Sequence, residues 1–360
     1  MQVMTNESHA TGARRHELAA DDATLDRYME DQGWTDGLPV IPPTEDRVSA
    51  MLQTTRHRAE DILGVMEPLK GKVTLEKVAA NAVMAGCYPE YFPVVVAAVK
   101  AVLQKQFHVG STACTTGGAA PVVIVSGPIA VKLGINSGTG CFGGGFRANA
   151  TIGRALRLTM RNIGGAKPGG EEKSTHGWPA KVTFCFAENE ARSPWEPLRV
   201  EAGYAAEAST VTVVACRGLY PICEGTQVTG IGTLQTIAAS MRVIGSPIYN
   251  QAARNEVPVV VVIGPEHAAE IARSGFSKDD VKRYLFEKAR VRVRDLAGRM
   301  YAGTDPWPSW IDADDPDTLV PIVADANGFL IVVAGGDGRH SAWMPSWNVC
   351  KGATELIEEI

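Results

Sequence analysis

The sequence predicts an α/β protein of layered sheets built from repeated strand–glycine–helix units, on three observations. First, short β-branched runs of strand length, at 122–125, 257–263 and 329–333, lie between longer stretches with helical spacing. Second, Ala120-Pro-Val-Val-Ile-Val-Ser-Gly-Pro is echoed by Val257-Pro-Val-Val-Val-Val-Ile-Gly-Pro, an offset of 137 residues from Pro121 to Pro258. Third, these runs end in Gly-Pro, and a fainter copy at 329–336 ends in Gly335-Gly336. Strand, tight glycine turn and helix is how such folds present a helix N-terminus at a strand's C-terminal edge, where ligands collect. Proline suits the first helical position, whose N–H has no partner in any case.

Helical stretches at 74–86, 152–164 and 233–245 echo one another too, but at offsets of 78 and 159. Two readings stay open, an internal duplication giving two pseudo-related lobes and a chance likeness. The 360 residues suffice for two lobes. The expected division is an N-terminal arm with an extended Pro-rich segment over 1–44, a first α/β lobe over 45–205 and a second over 206–360.

Residues 1–20 are polar and read as a disordered arm. A helix is expected over 22–32, capped by Asp21 or Asp22. The stretch 33–44, with Asp36-Gly37 and paired Pro42-Pro43, is extended with a turn, and Trp34 and Leu38 would pin it. Thr44-Glu45-Asp46 opens a helix over 45–56. In 74–86, Leu75, Val78, Ala79, Ala82 and Val83 share a face behind a Thr74 cap, and 91–104 is a further helix. Strands follow at 181–187 and 210–215. The glycine- and lysine-rich stretch 164–180 between is long for a connection and reads as a lid or as disorder. A helix at 232–244, a strand at 257–263 and a helix at 265–274 come next. Ser277-Lys-Asp-Asp280 opens a helix over 278–300 by capping-box logic, and 329–333 is the last strand.

Bulk composition narrows the function. A net charge of −5 and a pI near 5.9 argue against a nucleic-acid protein, which would carry a basic stripe. No apolar run approaches the roughly 20 residues that span a bilayer, and residues 1–22 lack a signal peptide's apolar core. Seven scattered cysteines without CxxC read as free thiols in a reducing, cytoplasmic setting.

The chemistry concentrates between His108 and Arg154. Cys114 lies in Ser111-Thr-Ala-Cys-Thr-Thr-Gly-Gly, and Cys141 in Gly138-Thr-Gly-Cys-Phe-Gly-Gly-Gly-Phe-Arg147. A thiolate forms where a helix N-terminus or a cation lowers the thiol pKa. Gly143, Gly144 and Gly145 can turn amides onto an anion, and Arg147 could clamp one. His340 and His108 are the proton-carrier candidates, while Arg339 and Ser341 join the substrate-binding set beside the last strand. His267, in Gly-Pro-Glu-His, reads as a surface residue. Cys216 and Cys223 stand seven apart, which suits neither zinc nor redox, and Glu224 is a spare acid/base.

The glycine run matches neither a dinucleotide fingerprint nor a P-loop. Without HExxH or paired cysteines no metal site is expected, and Asp312–Asp317 reads as a solvated acidic turn. No cofactor is indicated. Three functions remain: a cysteine-dependent enzyme for a small polar or anionic substrate, by hydrolysis, transfer or lysis; a thiol redox protein using Cys114 with Cys141; and a non-catalytic subunit of a larger complex. Partners are then a small-molecule substrate and further copies or subunits, not nucleic acid or membrane.

Overall fold

The computed structural model describes residues 2–5, 12–18, 21–243, 256–296, 307–347 and 349–359. The chain opens with β1 (Gln2–Thr5) paired antiparallel to β2 (Arg14–Glu17), where a disordered arm is expected. Arg15 of β2 binds Glu45 and Glu76, and the Ala13 amide donates to Glu76, so this segment is tied to the body.

Several helices begin where the sequence supplies a side-chain acceptor for an unpaired amide. Asp21 accepts from Thr24 N ahead of α1 (Asp22–Asp31), and Thr44 from Arg47 N ahead of α2 (Glu45–Leu52). An unforeseen hairpin, β3 (Ile62–Met66) and β4 (Gly71–Thr74), leads into α3 (Leu75–Ala85), capped by Thr74. Gly86, at φ +93°, closes α3 in the left-handed conformation that glycine adopts without strain. Next come α4 (Phe92–Leu103), α5 (Val109–Cys114), β5 (Ala120–Ser126), α6 (Pro128–Lys132) and α7 (Arg147–Asn162). After β6 (Cys185–Ala187), α8 (Leu198–Glu201), β7 (Thr210–Cys216) and β8 (Tyr220–Cys223) comes α9 (Gly230–Ser240). Then β9 (Val259–Ile263) runs through Gly264 into α10 (Pro265–Arg273), with proline at the expected first position.

The capping box at Ser277 and Asp280 starts α11 (Lys278–Lys288), which is shorter than expected. Arg290-Val-Arg-Val-Arg294 alternates with period two. That favours a strand. The chain accordingly forms β10 (Arg290–Arg292), paired with β11 (Leu319–Pro321), and a short α12 (Val293–Leu296). Residues 297–300 of that expected helix, and 244 of the one before β9, lie outside the described residues. The chain closes with β12 (Phe329–Val333), β13 (His340–Pro345) and β14 (Ala353–Leu356).

Two four-stranded sheets, ordered β14-β7-β5-β6 and β12-β9-β13-β8, repeat one pairing scheme. In each, the apolar strand ending in Gly-Pro has a parallel neighbour, β6 or β12, and an antiparallel one, β7 or β13. The antiparallel neighbour carries an outer strand that the halves exchange. β8 follows β7 in the chain but pairs with β13, and β14 follows β13 but pairs with β7. The sheets therefore do not divide at residue 205: β7 and β14 both lie in the first.

Side-chain alternation stacks these sheets into a helix–sheet–sheet–helix arrangement. Val122, Ile124, Phe186 and Val214 meet Val260, Val262, Val332 and Met344 between the sheets. Val123, Val125, Val211 and Val213 face the first helical layer with α3, α4 and α7. Val259, Val261, Ile263, Phe329, Ile331 and Trp343 face the second, with α9, α10 and α11. Each such fully buried side chain contributes about 1.5–3 kcal/mol relative to exposure.

The 164–180 stretch is a folded strap. Thr175 N donates to Thr116 O, and Glu172, buried beneath it, meets Lys181 at 2.7 Å and Arg157 at 3.8 Å.

Candidate functional site

The two sheets and the 135–146 connection meet at the ends of β9 and β12. Gly335 N donates to Ser137 O at 2.8 Å. A Cβ on Gly336 would stand 2.1 Å from Thr139 Oγ1, so only glycine allows this approach. Between the loops lies a cleft of about 400 Å³. Thr139, Gly140, Cys141, Phe142 and Gly143 form one side, Asp337, His340 and Ser341 the rim opposite, and Leu219, Pro221, Val262, Ala334 and Ala342 the apolar walls.

Cys141 lines this cleft but is 5% exposed and belongs to the core between the sheets. Burial pushes its thiol up to about 11, against which its own amide and that of Phe142 donate to the sulfur. Phe142 holds the turn down, its ring 4.9 Å from that of Phe186 and 5.2 Å from that of Phe184. The two local amides are the activating feature present. A cation is not: Arg147 Nε donates to Gly86 O, one Nη to Tyr88 Oη, and the guanidinium lies 3.9 Å over the Tyr88 ring. Gly143 lines the cleft with its amide bonded to Gly140 O, while Gly144 and Gly145 are exposed beside it.

Cys114 ends α5, half-buried and outside the cleft. Burial raises its thiol pKa first, then Glu171, Glu172 and Glu67, so carboxylates stand where activation needs a cation. All seven cysteines are free. His108 is exposed at φ +54° beside α5 and does not reach the cleft. His340 is exposed on the cleft rim with Asp337. Arg339 is a clamp: Nε donates to Glu224 O at 2.9 Å, and an Nη meets Glu270 at 2.8 Å.

His267 is fully buried, not on the surface. Its Nδ1 lies 2.8 Å from Ser341 Oγ and its Nε2 3.0 Å from Glu224 O. A carbonyl only accepts, so Nε2 carries the proton and Nδ1 accepts from the Ser341 hydroxyl. Ser341 Oγ accepts in turn from Gly264 N at 3.1 Å. Burial lowers the His267 pKa, which keeps the ring neutral and able to act as a base. This is hydroxyl, base and orienting acceptor in sequence, with a main-chain carbonyl as the orienting group. The signal lay in spacing: His267 stands four residues before Ile271 on the buried stripe of α10.

Glu224 does not behave as a free acid/base. Thr236, then the Gln227 and Thr226 amides and the Thr226 hydroxyl, donate to its carboxylate and hold it down at about 2. Asp312 and Asp315 accept from amides two or three residues ahead, as turn-forming aspartates do. Among the described residues no group of His, Cys, Asp or Glu could hold a metal ion, and no helix is long and apolar enough to cross a membrane. No protein-family model matches the chain, and no curated protein matches it.

Proposed function

We propose that the chain is an enzyme acting on a small molecule bound in the cleft between the 139–143 turn and the second sheet, with Cys141 as nucleophile. The observation behind this reading is convergence. One cleft takes Cys141 from one half of the chain, and Asp337, His340 and Ser341 from the other. Its volume, about 400 Å³, suits a small ligand.

The walls Leu219, Pro221, Val262, Ala334 and Ala342 favour an apolar body, and Asp337 with His340 would meet a polar end. With Arg147 held by Gly86 and Tyr88, an anionic group on the substrate is not required. The resting thiol is protonated. His340 at the rim is the group proposed to accept its proton once substrate excludes water, and the Cys141 and Phe142 amides would stabilise the thiolate. Hydrolysis, transfer and lysis all follow from such an attack. Cytoplasmic location and assembly with further subunits belong to this proposal on sequence grounds alone.

One observation favours a second nucleophile in the same cleft: the tautomer fixed on His267 points a base at the Ser341 hydroxyl. One experiment separates the two. Purified protein is incubated with a cell metabolite extract, and the mixture is followed by untargeted mass spectrometry for wild type, Cys141→Ala and Ser341→Ala. The expected result is a compound consumed by wild type and left intact by Cys141→Ala, with an adduct trapped on the Cys141 peptide. Full turnover by Cys141→Ala overturns the thiol reading, and loss in Ser341→Ala alone transfers the role to the hydroxyl. No compound bound or consumed by wild type overturns the enzyme reading.

A further inference from the structure

The arginines of α7 each meet a different fate. Arg147 is held by Gly86 and Tyr88. Arg154 grips Asp36 with both arms of its guanidinium, at 2.8 and 2.7 Å. Arg157 donates to Lys181 O at 2.9 Å and lies 3.8 Å from Glu172. Arg161, one turn further on, has no such partner. Its Nε is buried without an acceptor, and its guanidinium makes no hydrogen bond or ion pair among the described residues. After α7 the chain turns through Gly164 and Gly165 and brings Lys167 back alongside. The Lys167 ammonium packs on Gly33, 3.1 Å from where a Cβ there would stand. It too lacks an acceptor among the described residues.

Two half-buried cations thus lie near enough for the charge of Arg161 to act on Lys167, by the end of α7 and the turn after α1. Burial lowers both pKa values, and Arg161 lowers that of Lys167 further. Among the described residues Asp36 is the carboxylate whose charge reaches Arg161, and both its oxygens are on Arg154. Like charges drawn partly out of water repel and lose hydration, which a fold tolerates where a counter-charge completes the set.

We infer that Arg161 and Lys167 form a binding site for a small oxyanion, a phosphate group or a carboxylate. The two Nη groups of the guanidinium, whose N–H bonds also lie side by side, would meet two oxygens of one anion, the enclosed Nε–H staying inside the chain, and the ammonium would supply the second charge. The site shares no residue with the cleft, so it stands or falls separately from the proposed enzyme.

The test compares melting in sodium phosphate, sodium malonate and sodium chloride at equal ionic strength, with calorimetric titration of phosphate. Wild type should melt higher in phosphate or malonate than in chloride. A response to phosphate alone assigns the natural ligand to phosphoryl compounds, and one to malonate alone to carboxylates. Arg161→Gln and Lys167→Gln should each weaken binding at least about tenfold. In chloride Lys167→Gln should melt no lower than wild type, because it removes a repulsion. A structural ion-pair lysine would instead lower the melting point. The site is overturned if neither anion raises wild-type melting, if the variants keep the full increment, or if Lys167→Gln is markedly destabilised in chloride.

Discussion

Replacing Glu172 by glutamine probes how the strap over Cys114 is held. Glu172 is 7% exposed, with Lys181 Nζ at 2.7 Å, an Arg157 nitrogen at 3.8 Å and Ser174 N at 3.0 Å. Glutamine keeps the shape and removes the charge, leaving Arg157 and Lys181 facing each other without a carboxylate. Arg157 is already pushed down to about 10 by burial, with Glu172 the first group opposing that loss. Breaking a buried ion pair from one side costs about 3–5 kcal/mol. Arg157 keeps its bond to Lys181 O, so the expected loss is at the lower end, about 3 kcal/mol. Urea unfolding followed by circular dichroism measures it as a midpoint shift at constant slope. Cys114 gives an independent readout, because Glu172 is among the carboxylates raising its thiol pKa, and alkylation there should speed up in the variant. Acid should act in the same direction. At Glu172 burial acts upward, but Lys181 and Ser174 outweigh it and the pKa is lowered. Its contribution is therefore present above the unfolded carboxylate range and is lost as pH falls through the folded value. Lys181 is lowered as well, by burial and then by Arg157, so the attraction is read more directly at the carboxylate. A loss below about 1 kcal/mol with unchanged Cys114 alkylation would refute the buried-pair reasoning.

Two further outcomes follow from the same physics. In timed alkylation with mass-spectrometric mapping, exposed Cys223 and half-buried Cys114 should react first, and Cys141 next, at a rate climbing with pH toward about 11. Cys87, Cys185, Cys216 and Cys350 should stay protected until unfolding, and a Cys141 as inert as those four would show that the cleft does not reach its sulfur. For His267 the folded pKa lies below the unfolded one, so folding excludes a proton and stability declines as pH falls below about 6.5, levelling beneath the folded value. His267→Gln should remove that decline while costing about 1–3 kcal/mol at neutral pH from the altered bonds to Ser341 and Glu224 O, and an unchanged acid limb would contradict the assignment.

Local signals were legible where local chemistry decides the outcome. The Thr44, Thr74 and Ser277 caps and the Gly-Pro turns act over a few residues and fall where expected. Strands β8, β13 and β14 were not legible. Tyr220-Pro-Ile-Cys and His340-Ser-Ala-Trp-Met-Pro lack a β-branched run. They exist because ladder pairing with β9 and with each other overrides weak propensity. The cleft was half legible: Cys141, Gly143, His340 and Ser341 gather because loops at strand ends converge. Arg147 was placed by closeness in sequence to the glycines, yet a side chain opening a helix leans back over its own N-terminal turn, and this one reaches Tyr88.

The exchange of β8 and β14 bears on where function resides. Because each half completes the other's sheet, neither can bury its own apolar strands alone, and the two sheets should unfold together. A repeated scheme also shows what is structural and what is particular. Ser209 accepts from Ile129 N at the head of α6, just as Ser341 accepts from Gly264 N at the head of α10, so a serine bonding the turn after the central strand is common to both halves. The halves differ at the next step. Position 130, matching His267 by the 137-residue offset, is alanine, and the long 133–146 connection carrying Cys141 has only the short 274–277 turn as its counterpart. Repetition accounts for the serines as helix-turn acceptors. It leaves the buried imidazole and the cysteine turn as features found in one half only: Cys141 lines the cleft, and His267 lies buried behind it, bonded to Ser341 of its rim.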